Sequence, residues 1–177
     1  MVKIGLYVGS FNPPHLGHIK IINYILENNI VDKIYLIPVS ISSKKLIDSK
    51  HRLNMLKTLS NNKIEVISDA LNTNSYFNYD LLNIIKAKYN IKNSYIIMGL
   101  DNLNSMKNWY KYENILKENN IICIKRNNEI PIITKDIIFI DNLSNLSSTM
   151  IRENINLHKD KLTNEIYNYI INNKLYK

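Results

Sequence analysis

The sequence is poor in cysteine, glycine and proline. Its 177 residues contain one cysteine, four glycines and four prolines. The single cysteine, Cys123, lies in an apolar run and has no second cysteine to pair with, so we expect a reducing compartment and a cytoplasmic protein. The spaced glycines that mark dinucleotide-dependent dehydrogenases are missing after the first apolar run. This absence argues against hydride transfer.

Long apolar runs are missing as well. No run approaches the roughly 18 residues of a membrane span, and the first residues enter a strand pattern without the apolar segment of a signal peptide. We therefore expect no membrane partner.

Blocks of like charge are also absent, although the net charge is +8. Lysine and arginine occur singly or in pairs and never form a run of five or six. This distribution favours anionic small molecules such as nucleotides, and we expect no nucleic-acid partner.

The apolar residues that are present form short runs that alternate with helical patterns. The hydrophobic content of 45% and the charged content of 21% are typical of a globular protein, and the length suits one domain over residues 1–177. We predict strands at residues 3–8, 33–39, 64–67, 94–98, 121–125 and 137–140. We predict helices at residues 16–29, 49–59 and 75–89, one or two short ones within 101–118, and a helical tail at 148–156 and 161–173. Continuous apolar strands alternating with helices indicate an α/β fold, a Rossmann-like doubly wound parallel sheet with a helical C-terminal tail.

The first strand leads into the segment GSFNPPHLGH, residues 9–18. A glycine turn, two prolines and two histidines three residues apart occur where a strand ends and a helix begins. Unpaired amides and the positive end of the helix dipole make such a place suitable for phosphate groups. A single histidine in such a loop is more often a surface or capping group than a catalyst. Together, His15 and His18 are predicted to share one face at the carboxyl end of the strand.

These ten residues resemble the phosphate-binding signature of the HxGH nucleotidyltransferases, and are particularly similar to that of the nicotinate-nucleotide adenylyltransferases. The segment SSTMIR, residues 147–152, resembles the second signature of the same superfamily, SSTxxR. Read from the residues alone, Ser-Ser-Thr is also an ordinary helix cap. The resemblance covers nearly the whole chain and is more specific at its two ends than in the middle.

The resemblance implies two sets of binding residues. For ATP these are Gly9, Ser10, Phe11, His15, Gly17, His18, Gly99, Asp101, Ser148, Thr149 and Arg152. For the mononucleotide they are Ser10, Asn12, Lys44, Arg52, Phe77, Asn78 and Trp109. His15, His18 and Arg152 are the expected catalytic residues, and no side chain is expected to bind a metal.

Several of these residues have a second interpretation. Asp101 is equally suited to cap a helix, and a lone tryptophan such as Trp109 is often part of a core. The segment YFNYD, residues 76–80, departs from the family's pattern, which is close to Ser-Tyr-Thr-x-Asp, because Phe77 replaces Tyr and Asn78 replaces Thr. This departure bears on the choice between nicotinate and nicotinamide.

The resemblance implies adenylyl transfer from ATP to nicotinate mononucleotide, giving the deamido dinucleotide and pyrophosphate. Mg²⁺ is expected to arrive with ATP. Nicotinamide mononucleotide is an alternative acceptor, and phosphopantetheine a less favoured one because Trp109 and residues 76–80 suit a flat aromatic group. A nucleotide-binding regulatory module without turnover stays open, as does a homo-oligomer.

Overall fold

Six parallel strands form the centre of the protein. The computed structural model describes residues 1–41, 45–73, 76–125, 130–133, 136–141 and 143–177. The strands are β1 (Ile4–Gly9), β2 (Lys33–Pro38), β3 (Ile64–Val66), β4 (Ser94–Gly99), β5 (Asn120–Ile124) and β6 (Ile137–Ile140). They pair in the order β3-β2-β1-β4-β5-β6, and every pair is parallel. The predicted Rossmann-like doubly wound sheet is therefore confirmed, while a single domain over residues 1–177 stays a prediction.

Seven helices accompany these strands in the part of the chain that the structure describes. They are α1 (Leu16–Glu27), α2 (Ser49–Lys57), α3 (Tyr79–Lys88), α4 (Leu100–Ser105), α5 (Tyr112–Glu118), α6 (Ser148–Glu153) and α7 (Asn164–Asn172). Short 3₁₀ turns occupy Asp69–Asn72, Met106–Asn108 and Lys159–Lys161. Over the described residues, no helix combines the length and the apolar character that a membrane crossing requires.

Helix α3 begins later than the sequence pattern predicts. We expected a helix from residue 75, which lies outside the described residues, but α3 starts at Tyr79. The reason is a cap, because the Asn78 side chain accepts a hydrogen bond from the amide of Leu81 at 3.0 Å while its own backbone is extended. Asn78 thus fixes the end of the helix that faces the carboxyl edge of the sheet.

The two faces of the sheet are buried in separate apolar clusters. Leu6, Ile96 and Cys123 face one cluster, whereas Tyr7, Ile97 and Ile122 face the other. This burial of successive residues explains why the strands appear in the sequence as continuous apolar runs. A third cluster joins the tail to α2, and its members include Met55, Ile151, Ile155, Leu162, Ile166 and Ile170.

The order of the strands fixes where a ligand can bind. Strand β1 pairs with β2 on one side and with β4 on the other, so the strand order reverses between β1 and β4. The connections leave a crevice at the carboxyl ends of these two strands, which is where open parallel sheets bind their ligands. Gly9 and Gly99 end the two strands at this crevice.

Candidate active site

The two histidines of the first motif cap helix α1 together. His15 is the N-cap residue, and its Nδ1 accepts a hydrogen bond from the amide of Gly17 at 3.1 Å. The Nδ1 of His18 in turn accepts from the amide of His15 at 3.2 Å, and the ring centroids lie 3.9 Å apart. Backbone N–H groups can only donate, so both Nδ1 atoms are unprotonated. In the neutral rings the proton is therefore on Nε2.

Gly17 acts through packing. It was predicted to bind ATP, but it is buried and lines neither of the two cavities at the site. A Cβ atom placed on it would lie 2.9 Å from both Cε1 and Nδ1 of His15. The missing side chain lets the His15 ring lie flat against the first turn of α1. Gly17 therefore supports His15 and does not itself contact the cavity.

The second motif comes from the far end of the chain and meets the first. Ser147 caps helix α6, as predicted, by accepting from the amide of Met150 at 3.1 Å. The Arg152 guanidinium donates to the carbonyl of Asn12 at 2.7 Å and to the Thr149 hydroxyl at 3.2 Å. The two motifs are thus directly hydrogen-bonded to each other.

Ser148 and Thr149 differ in what they can offer a phosphate group. The Ser148 hydroxyl donates to the carbonyl of Pro13 at 2.8 Å, so its single proton is already used inside the protein. Thr149 accepts from Arg152, and its own proton can therefore point into the cavity. Of the two predicted hydroxyls, Thr149 is the better placed donor.

A polar cavity of about 280 Å³ lies between the two motifs. It is lined by ten of the eleven residues predicted to bind ATP, with Gly17 as the exception: Gly9, Ser10, Phe11, His15, His18, Gly99, Asp101, Ser148, Thr149 and Arg152. Asp101 lies in the first turn of α4, whose N-cap is Gly99, so the alternative of Asp101 as the cap is wrong. A Cβ on Gly99 would meet no atom within 4 Å. Gly99 therefore leaves open space beside the cavity.

A larger cavity of about 610 Å³ adjoins the first and has an aromatic wall. Phe77, Asn78 and Trp109 line it, as predicted from the mononucleotide set, and Trp109 also packs partly against the core. Four residues line both cavities, namely Val8, Gly9, Ser10 and Asn102. The two spaces therefore meet at the end of β1.

Arg52 was predicted to lie near the mononucleotide phosphate, but it lines neither cavity. It is 1% exposed, and its Nη1 donates to the carbonyls of Ser10 at 2.9 Å and Val39 at 2.8 Å. Its Nε donates to the carbonyl of Ile47 at 3.3 Å. Burial lowers the pKa of the guanidinium, and Asp48 opposes this effect only in part. Arg52 thus connects three loop segments outside the two cavities. The residues around it in the sequence do not predict this position.

Two further members of the mononucleotide set are Lys44 and Asn12. Lys44 is outside the described residues. Asn12 lines the smaller cavity and is only 2% exposed. Its side-chain amide donates to the carbonyl of Lys45 at 3.1 Å. Asn12 therefore holds the loop after β1 to the segment before α2.

Sequence reasoning missed several residues that line the cavities. In the larger cavity these include Ser105, Asn108 and Tyr110, together with Tyr76, which was predicted only as part of the segment 76–80; in the smaller one they include Tyr7, Leu46 and Asn102. Tyr76 and Tyr110 are direct neighbours of residues that were predicted, so the aromatic character of those segments was an available signal. Leu46 gives no such signal, because only the course of the loop brings it to the site.

The strand order, the crevice and the two motifs together define a class of protein. The cytidylyltransferase-like family model matches residues 6–154. The solved structure of Plasmodium falciparum nicotinic acid mononucleotide adenylyltransferase complexed with NaAD has a similar fold, with a TM-score of 0.78 at 24% identity, and the match covers 99% of this chain and 98% of that one. The class is therefore that of the cytidylyltransferase-like nucleotidyltransferases.

Curated relatives narrow the class to a family. The probable nicotinate-nucleotide adenylyltransferase of Fusobacterium nucleatum is 35% identical over 174 residues, covering 90% of each chain. The nicotinate-nucleotide adenylyltransferase of Bacillus subtilis is 30% identical over 193 aligned positions, covering all of both chains. The chain belongs to the nicotinate-nucleotide adenylyltransferase family.

Proposed function

We propose that the protein transfers the adenylyl group of ATP to nicotinate mononucleotide, giving nicotinic acid adenine dinucleotide and pyrophosphate. An oxygen of the mononucleotide phosphate attacks the α-phosphorus of ATP, and the bond from that phosphorus to the β-phosphate oxygen breaks as pyrophosphate leaves. A phosphate oxygen is already a nucleophile. Catalysis therefore depends on positioning two anions and on stabilising charge at the phosphoryl oxygens.

The observation that carries this proposal is the junction of two chemically different cavities. The smaller cavity is lined by imidazole, hydroxyl and guanidinium groups, and the larger one by aromatic side chains. They meet at Ser10, beyond the end of β1. A triphosphate in the first and a pyridine nucleotide in the second would bring the acceptor phosphate to the α-phosphorus at this junction.

Three side chains are proposed to act on the phosphates. Each neutral imidazole of His15 and His18 carries its proton on Nε2, which suits a hydrogen bond to a phosphate oxygen. Arg152 adds a planar cation for the leaving pyrophosphate. Its bond to the Asn12 carbonyl leaves further N–H groups of the guanidinium for phosphate oxygens.

The larger cavity suits the pyridine ring and its carboxylate. Trp109 and Phe77 supply flat apolar surfaces, and Asn78 lies at the start of helix α3. The positive end of a helix dipole favours an anionic group, which nicotinate has and nicotinamide lacks. Asn78 fixes the start of this helix even though the family's threonine is absent, and its cap occupies the amide of Leu81. The helix dipole is therefore the feature that supports nicotinate as the preferred acceptor.

Mg²⁺ is proposed to enter on the phosphates of ATP. Among the described residues, no group of three or more His, Cys, Asp or Glu side chains is placed to hold a metal ion. Asp101 is the carboxylate that lines the smaller cavity. These residues do not form a metal cage of their own, so no step here is assigned to a metal held by the protein.

Pyrophosphate release tests the proposal. The purified protein is incubated with ATP, Mg²⁺ and one acceptor at a time: nicotinate mononucleotide, nicotinamide mononucleotide or phosphopantetheine. We expect release with the mononucleotides, fastest with nicotinate mononucleotide, and formation of the matching dinucleotide. Faster release with nicotinamide mononucleotide would change the assigned acceptor. Binding of ATP without release in all three reactions would make the protein a nucleotide-binding module without turnover.

A further inference from the structure

The residues after helix α7 turn back toward the body of the protein. Lys174 has a φ of 53°, its amide donates to the carbonyl of Ile171 at 3.1 Å, and the amide of Leu175 donates to the carbonyl of Ile170 at 3.0 Å. These are the two hydrogen bonds and the left-handed residue of a Schellman motif. The reversal directs Tyr176 away from the helix axis. Tyr176 and Leu175 then pack against the third apolar cluster, which joins the tail to α2.

The Tyr176 hydroxyl reaches the loop that follows β1. It donates to Oδ1 of Asn12 at 2.8 Å, across 164 positions of the sequence. The backbone carbonyl of Asn12 accepts from Arg152 at 2.7 Å, and its side-chain amide donates to the carbonyl of Lys45 at 3.1 Å. Asn12 therefore connects three parts of the chain, and its Oδ1 accepts both from Tyr176 and, at the longer distance of 3.5 Å, from the amide of Ile47.

The surroundings of Tyr176 keep its hydroxyl a donor. Burial raises the pKa of the phenol, although the positive charges of Arg152 and Arg52 act in the opposite direction. A protonated phenol can donate to the amide oxygen of Asn12, which only accepts. Tyr176 lines neither cavity.

We propose that Tyr176 is a positioning residue for the triphosphate half of the site, acting through Asn12 on Arg152. Without its hydroxyl, the Asn12 side chain loses one of its partners, and the carbonyl that orients Arg152 is less firmly placed. The larger cavity is not part of this network. This inference rests on the proposed function, because it assigns Arg152 to the phosphates of ATP.

A different role would be purely structural, with Tyr176 anchoring the tail to the body. The two roles give different kinetics. Loss of an anchor lowers the fraction of folded enzyme, which reduces the apparent kcat and leaves both KM values unchanged. Loss of a positioning contact raises the KM for ATP, and it leaves the KM for the mononucleotide unchanged.

The test compares Tyr176→Phe with Tyr169→Phe. Tyr169 is a matched control because it is half-buried in α7 and its hydroxyl also has side-chain partners, His51 and Asn54, which lie outside both cavities. For Tyr176→Phe we expect the KM for ATP to rise about fivefold, the size that the loss of one hydrogen bond gives. We expect no change in the KM for the mononucleotide, and no change in either KM for Tyr169→Phe. Calorimetric binding of a non-hydrolysable ATP analogue should weaken by a similar factor in Tyr176→Phe alone.

A double-mutant cycle tests the route through Arg152. In an Arg152→Ala background, Tyr176→Phe should have almost no further effect on analogue binding, because the residue on which it acts is gone. Full additivity, or unchanged ATP parameters in Tyr176→Phe, would overturn the inference. A wild-type protein without pyrophosphate release would refute the proposed function instead, so the two failures are distinct.

Discussion

Substitution of Gly17 by alanine should separate the stability of the protein from its activity. A Cβ at this position would lie 2.9 Å from Cε1 and Nδ1 of His15 and 3.2 Å from the Ser144 hydroxyl oxygen. The nearest two atoms belong to an imidazole that is 2% exposed, so the ring must move within a closely packed space. Movement of the ring lengthens or breaks the 3.1 Å hydrogen bond from the Gly17 amide to His15.

The expected effect on stability is modest. Loss of the capping hydrogen bond costs about 1 kcal/mol, and overpacking typically costs about 1–3 kcal/mol. Alanine in place of glycine inside a helix stabilises the folded state by about 0.5–1 kcal/mol, which offsets part of this loss. The free energy of unfolding should therefore fall by about 1–3 kcal/mol, which corresponds to a fall of about 2–12 °C in Tm. The effect on turnover is larger, because a displacement of about 1 Å in a positioning group can cost about 100-fold in rate.

The assay is steady-state pyrophosphate release at a temperature where thermal unfolding shows the variant to be folded. Gly5→Ala is the matched control, because its Cβ would lie 2.9 Å from Ile97 and 3.1 Å from Ile34, in the core and away from both cavities. We expect a similar loss of Tm with a nearly normal kcat for this control. A Gly17→Ala protein with a kcat within about threefold of wild type would refute the role of Gly17 in placing His15 and the need for His15 at its present position.

Three further substitutions test other parts of the site and the fold. His18→Ala should lower kcat by orders of magnitude with a small change in Tm, and near-normal turnover would remove the imidazole pair from the mechanism. Trp109→Ala should raise the KM for the mononucleotide and leave that for ATP unchanged. Burial alone would raise the pKa of Asp69, but hydrogen bonds from Lys88 and Tyr89 outweigh it and lower the pKa. Asp69→Asn should therefore cost about 1 kcal/mol of stability near pH 7. In denaturant unfolding, this difference should be present in full above the unfolded-state pKa of 3.8 and should disappear as the pH falls through the lower pKa of the folded state.

The sequence predicted the fold well because its signals were local. Strand β5 consists of four buried residues after the exposed Asn120, and the predicted 121–125 differs from the observed Asn120–Ile124 by one position at each end. Helix α6 begins where Ser147 predicts it, since a serine cap acts within three residues of itself. It ends at Glu153, before the predicted residue 156, because Asn154 is extended. The starts of α3 and α7 were predicted too early, although the side chains of Asn78 and Thr163 cap them.

The site was only partly predictable, because some of its contacts depend on tertiary structure. The pairing of His15 with His18 at three-residue spacing is visible in the sequence, but the reciprocal cap that they form is not. Arg52 was predicted to lie near the mononucleotide phosphate, yet three loops bury it and their carbonyls accept from its guanidinium. Tyr176 gives no local signal at all, since its contact with Asn12 depends on how helix α7 docks. Contacts of this kind, between residues far apart in the sequence, cannot be predicted from local sequence patterns.

Side chains from distant parts of the sequence hold the loop of residues 9–15, which borders the site of a reaction that needs no activated nucleophile. Arg52 donates a hydrogen bond to the carbonyl of residue 10, at the start of this loop. Ser148 and Arg152 hold it from helix α6 through the carbonyls of residues 13 and 12, and Tyr176 holds the side chain of residue 12. Each contact fixes a backbone or amide oxygen that would otherwise move with a flexible turn. When a reaction depends on aligning two anions, rigidity of this loop is the contribution that the protein has to make, and groups from both ends of the sequence supply it.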